Sequence, residues 1–285
     1  MGRLTEIQIE LSGVCSAACT HCTWRKRTVG KQHMDTGLAL RLLEDAKALG
    51  IKTVRLHGVG ESLLHPRLLE IVRRSEELGL GHSLSTNCHE LVGEPAAGLR
   101  TVRSLQFILA IPWAMPDDFV DVCVKNALEY LPSRNEAVHI QLVCHVDAQR
   151  HLQRFLNTFM PLAERYPNVL LHLKQPVTWP NDTPNQGFTV PELRSNSKIM
   201  NDARATPLSI AKNCDMPERF LMVCADGTVV PCCVGMDDWG LGQLGERSLR
   251  EVWNSAAMQR LRELWARADD SIPCGRCKKR TDCIQ

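Results

Sequence analysis

The sequence lacks any apolar run long enough to cross a bilayer, and its start shows no secretory signal. It also lacks an excess of charge of either sign, because 34 Lys and Arg residues stand against 32 Asp and Glu residues, for a net charge of +2. Proteins that bind nucleic acid or membrane surfaces usually carry a marked positive excess. We therefore expect a cytoplasmic protein that binds neither nucleic acid nor a membrane.

Cysteine, in contrast, is abundant: the chain has 13 among 285 residues. In a chain without a secretory signal, so many cysteines indicate metal or redox chemistry and not a disulfide framework. The hydrophobic content of 44% is that of a globular protein. The length suffices for one large domain with a smaller one.

The first group of cysteines has the spacing C-x3-C-x2-C and comprises Cys15, Cys19 and Cys22. It follows a strand-like run at 7–11. Three thiolates on one tight loop can bind three irons of a cubane cluster, which leaves the fourth iron open for another ligand. The alternative is part of a zinc site, although such a site usually has four ligands with a paired second half.

This spacing resembles that of the radical S-adenosylmethionine (SAM) superfamily. The resemblance implies a [4Fe–4S] cluster whose open iron chelates the amino and carboxylate groups of SAM, and whose reduction leads to a 5'-deoxyadenosyl radical. It also implies a reductant of the flavodoxin or ferredoxin type. The cofactor carries the difficult chemistry in such enzymes, and the protein supplies position and electrostatics.

Three further features resemble parts of the SAM site in that family. Residues 57–61 resemble its GGEP motif, with Val59 between the two glycines, and residues 85–87 resemble its TNG turn, with Cys88 in place of the glycine. His21 precedes the last cysteine of the first group, where the family often has an aromatic residue near the adenine. The residues that this resemblance assigns to SAM are His21, Gly58, Gly60, Glu61, Ser85, Asn87 and Gln141.

Strand-like and helix-like runs alternate over the first two thirds of the chain. Such alternation predicts an α/β fold with a parallel sheet and helices outside it. Six such units resemble the partial (β/α)6 TIM barrel of radical SAM enzymes, whose active site lies at the C-terminal ends of the strands. The strand-like runs lie near 6–11, 53–57, 82–86, 104–110, 138–145 and 168–173, and the helix-like runs at 36–49, 66–79, 88–100, 116–131 and 147–163.

Polar residues follow one face of the fifth and sixth strands. His139, Gln141 and His145 alternate along the fifth, and His172 and Lys174 along the sixth. They either line an open barrel that holds a polar substrate or face helices and solvent at the strand ends. If the substrate is cationic, carboxylates must contact it; the candidates are Glu10, Asp117, Asp118, Asp147, Asp182 and Glu192.

A second group of cysteines occupies the C-terminal quarter. Cys214 and Cys232 flank Gly227 with the spacing C-x12-G-x4-C. This resembles the twitch domain, a shortened form of the SPASM domain, and implies one auxiliary [4Fe–4S] cluster; a structural zinc site is the alternative. The resemblance assigns this cluster to Cys214, Cys232, Cys274 and Cys277, with Cys283 as a possible replacement for one of them.

The composition divides the chain into three parts. Residues 174–213 are rich in Pro, Asn, Thr and Ser, which predicts little regular structure. We therefore expect a barrel over 1–190, a linker over 191–213 and a twitch domain over 214–285, with one helix near 248–267.

The position of Cys233 next to Cys232 indicates a type of reaction. It directly follows Cys232, and adjacent side chains diverge too much to bind one cluster easily. A thiol there can donate a hydrogen atom to a carbon radical, as in radical SAM epimerases; Cys88 is the rival donor, and the alternative is a small buried residue in the core. We therefore predict an epimerase.

The substrate class follows from the resemblance. Because there is no room for a leader-binding domain before residue 6, we expect a small carbohydrate-like substrate, such as an aminoglycoside in antibiotic biosynthesis. The alternatives are a twitch-type dehydrogenase that oxidises a secondary alcohol of an aminocyclitol, a peptide-modifying SPASM enzyme, and a zinc-stabilised binding protein.

Overall fold

A computed structural model describes most of the chain as one nine-stranded sheet with helices packed on it. The strand order is β7-β6-β5-β4-β3-β2-β1-β8-β9. The described residues are 2–25, 27, 30–103, 105–131, 136–174, 176, 187–188, 190, 198–201, 214–233, 239–267, 269, 271–272 and 274. The strands are β1 (Glu6–Ile9), β2 (Thr53–Arg55), β3 (Gly81–Thr86), β4 (Leu105–Leu109), β5 (Val138–Val143), β6 (Val169–Lys174), β7 (Ile199–Asn201), β8 (Phe220–Val223) and β9 (Val229–Val230).

Strands β1–β8 are mutually parallel and β9 runs antiparallel to β8. A helix connects each successive pair of strands from β1 to β6, so the predicted α/β fold is confirmed. The helices are α1 (Thr36–Ala48), α2 (Leu68–Glu77), α3 (Gly93–Leu99), α4 (Asp117–Tyr130), α5 (Leu152–Arg165), α6 (Met216–Arg219), α7 (Leu249–Trp253) and α8 (Ala256–Ala266). No helix in the described ranges is long and apolar enough to span a membrane.

The two faces of β1–β6 differ sharply in polarity. The outer face packs on the helices through fully buried residues such as Ile7, Ile140 and Leu171, which belong to the main apolar core. Because side chains alternate along a strand, the intervening positions form the opposite face, which we call the inner face. Its polar members are Glu6, Gln8, Glu10, Thr53, Arg55, His57, Ser83, Ser85, Gln106, His139, Gln141, His172 and Lys174.

The C-terminal part of the chain continues this sheet. β8 pairs with β1 in parallel, with Glu6 opposite Phe220 and Gln8 opposite Met222. Residues of this C-terminal part also form a second, smaller apolar cluster, which we call the C-terminal apolar cluster. Its buried members are Met216, Phe220, Met222, Cys224 and Val230.

Three predicted helices differ from those observed. The helix expected over 88–100 begins only at Gly93. The helix expected over 248–267 is two helices, because the Ser255 hydroxyl accepts a hydrogen bond from the Met258 amide (3.3 Å) and so starts α8 anew. The helix expected over 147–163 begins only at Leu152, after a 3-10 segment at Val146–His151.

Candidate active site

The loop that carries the first three cysteines begins where β1 ends. The Ser12 hydroxyl bonds to both the amide and the carbonyl of Val14 (3.1 Å each), which turns the chain away from the strand direction. Further along, the Cys22 amide donates to the Cys19 carbonyl (3.1 Å). We call residues 13–22 the cluster loop; it presents Cys15, Cys19 and Cys22, all half-buried, at the C-terminal edge of the sheet.

The electrostatics of these thiols suit a cationic partner. Burial, with a contribution from the nearby thiols, raises the pKa of Cys15 and of Cys19 to about 12. Thiolates at these positions therefore require positive charge in place of their protons, and the irons of a cluster supply it. Among the described residues, no group of three or more His, Cys, Asp or Glu residues is placed to hold a single metal ion.

The turn at 57–61 lies directly against the cluster loop. A Cβ added to Gly58 would come within 2.4 Å of Glu10 Cγ, and one added to Gly60 within 2.0 Å of the Ser12 carbonyl oxygen. The Glu61 amide donates to the Val14 carbonyl (2.7 Å). Only glycine fits at these positions, because the Glu10 side chain lies against Gly58 and the backbone of Ser12 and Gly13 lies against Gly60.

Glu61 connects this turn to the end of β3. Its buried carboxylate accepts hydrogen bonds from the amides of Leu63 (3.0 Å) and Asn87 (2.7 Å), while burial raises its pKa to about 7. The Asn87 side chain donates to Ser16 Oγ (3.1 Å) on the cluster loop. Glu61, Asn87 and the cluster loop thus form one site, which could bind an ammonium group.

Ser85 and Gln141 lie on the inner face of β3 and β5, both half-buried. Within the described part of the chain, no hydrogen bond joins either side chain to the cluster loop.

His21 ties the cluster loop to the far side of the sheet. Its ring packs on that of His145, with centroids 5.6 Å apart, and burial lowers the pKa of His21 to about 4. The Thr20 hydroxyl donates to Asp147 Oδ2 (2.8 Å). Asp147, a sequence candidate for a substrate carboxylate, instead anchors the cluster loop to the end of β5.

Cys88 occupies the turn after β3 in an unusual conformation. Its φ of 71° makes it the one non-glycine residue with positive φ in the described ranges, as expected where the related motif has glycine. Its carbonyl accepts from the Asn126 amide group (3.0 Å), and its fully buried side chain belongs to the main apolar core.

Glu10 has a role that the sequence did not reveal. It is fully buried, and both carboxylate oxygens accept from Arg27 Nη1 (2.8 and 2.9 Å). The same carboxylate accepts from the amides of Val59 (3.1 Å) and Ala225 (3.0 Å). Glu10 therefore joins β1, the glycine turn and the β8–β9 turn, so the expectation that it contacts substrate is wrong. Arg27 lies 17 residues away with no periodic relation to Glu10, so no sequence signal indicated the pair.

The tight turn between β8 and β9 positions the second cysteine group. Gly227 has a φ of 82°, its amide donates to the Cys224 carbonyl (2.9 Å), and the Cys224 amide donates to the Thr228 carbonyl (2.8 Å). A left-handed conformation at this point explains the glycine in the C-x12-G-x4-C pattern. Cys224 is also buried here, and no sequence pattern indicated a role for it.

Three of the C-terminal cysteines share one apolar environment. Cys214, Cys232 and Cys233 pack on the C-terminal apolar cluster, as does Val59 of the glycine turn. Cys274 packs instead on the main apolar core. Two further predicted ligands, Cys277 and Cys283, lie outside the described residues.

The environment of the Cys233 thiol combines burial with positive charge. Burial raises the pKa of its thiol, and the positive charges of Arg55 on β2 and Lys174 on β6 oppose this shift.

Comparison with known proteins agrees with this geometry. The model of the SPASM family, an iron–sulfur cluster-binding domain, matches residues 214–279. The structure of SuiB from Streptococcus suis bound to S-adenosylmethionine superposes with a TM-score of 0.70 at 13% identity, over 97% of this chain and 72% of that one. The structure of BtrN with AdoMet and 2-DOIA gives 0.55 at 15% identity, over 100% and 95%.

The chain resembles radical SAM proteins, and its residues 214–279 match a SPASM-type iron–sulfur cluster-binding domain. Its cofactors are [4Fe–4S] clusters and SAM. Among curated relatives, a probable GTP 3',8-cyclase of Pyrococcus horikoshii is 33% identical over 84 residues, or 30% of this chain and 27% of that protein. The chain thus matches about a quarter of the length of the curated relatives. The predicted resemblance to radical SAM enzymes, the predicted fold and the predicted cofactors are confirmed.

Proposed function

We propose that this radical SAM enzyme removes a hydrogen atom from a C–H bond of a carbohydrate-like substrate and inverts that carbon, with Cys233 as the hydrogen donor. The observation that carries the proposal is the position of Cys233. Its thiol shares the C-terminal apolar cluster with Val59 of the glycine turn and lies near Arg55 and Lys174 on the inner face. A thiol in that position adjoins both the proposed SAM site and the face available to a substrate.

The first site supplies the radical in this proposal. Cys15, Cys19 and Cys22 hold the cluster, and Glu61 with Asn87 holds the amino group of SAM. Gly58 and Gly60 let the backbone of the turn approach. When SAM is bound to the reduced cluster, the pair supplies a carbon-centred radical that takes a hydrogen atom from the substrate.

The hydrogen returns from the other side. The S–H bond of Cys233 breaks and a new C–H bond forms on the substrate face opposite to the one that lost hydrogen, which leaves a thiyl radical on Cys233. One electron and one proton restore the thiol, the electron from a flavodoxin- or ferredoxin-type reductant and the proton from solvent. We assign Cys214, Cys232 and Cys274, with Cys277 or Cys283, to the auxiliary cluster.

The test is anaerobic turnover of the reconstituted enzyme with SAM, dithionite and a panel of sugars and aminoglycosides in D2O. The wild type should give an isomeric product that carries one deuterium, because the thiol exchanges with solvent. Cys233→Ala should still form 5'-deoxyadenosine but no inverted product. The matched control, Cys88→Ala, should keep turnover because its thiol lies in the main apolar core.

Inverted product from Cys233→Ala would refute the donor role. A wild-type product lighter by two hydrogens would instead identify a dehydrogenase, and turnover confined to peptide substrates would identify a peptide-modifying enzyme.

A further inference from the structure

We propose that the inner face contains an anion-binding subsite, formed by Arg55, His57 and Lys174, which takes a carboxylate or phosphate group of the substrate. This inference rests on the proposed function only in using the inner face as the place where substrate binds. It names the substrate class more narrowly: a carbohydrate that bears an acidic group.

The three side chains lie on the inner face of the sheet. Arg55 lies on β2, and His57 follows two positions later on the same face. Lys174 ends β6 on the inner face, opposite in register to Val143 of β5, while its neighbour Leu173 is fully buried in the main apolar core. The positive charges of Arg55 and Lys174 both act on His57, in line with the inner face that strand alternation gives to all three side chains.

The cations in this space exceed the anions. Arg55 forms an ion pair with Glu6, whose carboxylate also pairs with Arg219, and Arg219 in turn pairs with Asp215, which leaves Lys174 as the excess cation. The Lys174 ammonium makes no ion pair with any residue that the structure describes. An unpaired ammonium on a half-buried wall is stabilised when an anion binds beside it.

His57 uses part of its hydrogen-bonding capacity, because its ring bonds to the Ser83 backbone. Its Nδ1 is buried and has no hydrogen-bond partner among the described residues. Burial first, and then the positive charge of Arg55, lowers the pKa of His57 to about 4. An anion between Arg55 and Lys174 would offset that charge and favour protonation of His57, whose Nδ1–H would then donate to the anion.

Carboxylates that could receive an ammonium group are already engaged. Glu6 pairs with two arginines, and Glu10 is held by Arg27 and two backbone amides. These are the carboxylates on the inner face of β1–β6, so this surface is complementary to an anion and not to a polycation. The substrate carboxylates expected from the sequence at Glu10 and Asp147 serve internal contacts, and Asp182 and Glu192 lie outside the described residues.

The test measures binding to the anaerobically reconstituted holoenzyme with SAM present and no reductant, so that no turnover occurs. The probes are glucose, glucose 6-phosphate, glucuronate, inorganic phosphate and kanamycin, each by equilibrium dialysis. We expect at least one of the two anionic sugars to bind about 10-fold or more tightly than glucose, with the preference weakening as salt rises. A preference for glucose 6-phosphate assigns a phosphate site, and one for glucuronate a carboxylate site.

Substitutions test whether the preference for anionic sugars depends on Arg55 and Lys174. Lys174→Met and Arg55→Met should each reduce the anionic preference about 10-fold, while Lys174→Arg should keep most of it. Lys125→Met, which removes an exposed cation on α4, is the matched control and should change nothing. Iron content and SAM binding should be unchanged in all four, which shows that they fold.

Equal binding of glucose and both anionic sugars, or kanamycin as the tightest ligand, would overturn the subsite. So would an undiminished preference in a folded Lys174→Met. None of these outcomes bears on whether Cys233 returns hydrogen, which the turnover experiment tests separately.

Discussion

At the scale of single residues, one buried ion pair holds two turns together at the C-terminal edge of the sheet. Glu10 and Arg27 are both nearly inaccessible, and the remaining acceptor capacity of Glu10 holds the amides of Val59 and Ala225. A buried ion pair pays a large desolvation penalty, so it adds little net stability, but removing one partner leaves an uncompensated charge. The pair therefore fixes geometry between the glycine turn and the β8–β9 turn.

Glu10→Gln should destabilise the protein by roughly 3–5 kcal/mol, because Arg27 would remain buried without its counter-ion. The double variant Glu10→Gln, Arg27→Met should recover a large part of that loss. Anaerobic thermal unfolding measures both, with the exposed Glu263→Gln on α8 as the control. Equal loss in the single and double variants would show that the charge pairing is unimportant.

Sequence patterns predicted the roles of some of these residues and not of others. The cysteines and glycines were predictable because each needs one chemical property at a fixed spacing: a thiolate, or the absence of a side chain. Glu10 was misread because its partners come from positions 27, 59 and 225, which only the folded sheet brings together.

At the scale of elements, periodicity predicted the six barrel strands and most of the helices. Apolar and polar residues alternate along these strands, and apolar residues recur every three to four positions along the helices. β8 escaped because Phe220–Val223 is buried on both faces and shows no alternation. The break between α7 and α8 escaped because the apolar pattern continues through it, while Ser255 restarts the hydrogen bonding.

The start of α7 offers a direct test of such capping. The Ser248 hydroxyl accepts from the Glu251 amide, and the Glu251 carboxylate accepts from the Ser248 amide (2.7 Å), which is a complete capping box. Ser248→Ala should reduce the free energy of unfolding by about 1 kcal/mol, while Ser248→Asp should retain most of it. Anaerobic thermal unfolding of the two variants checks this, and equal stability of Ser248→Ala and wild type would contradict it.

At the scale of the whole molecule, the strand that precedes the first cysteine group and the strands that precede Cys232 belong to one sheet. β8 pairs with β1, and the C-terminal apolar cluster reaches Val59 of the glycine turn. The sequence pattern could not show this, because the pairing partners are separated by more than 200 residues.

This arrangement predicts two clusters that are loaded separately. The reconstituted wild type should contain about eight irons per chain, the content of two four-iron clusters. Changing Cys15, Cys19 and Cys22 together to Ala should leave about four irons and abolish SAM cleavage, because the C-terminal cysteines are untouched. Cys144→Ala, which alters a buried core thiol, is the control and should keep the full iron content. Iron analysis with visible absorbance decides the matter: about four irons in the wild type would exclude a second [4Fe–4S] cluster, because one such cluster accounts for all of them.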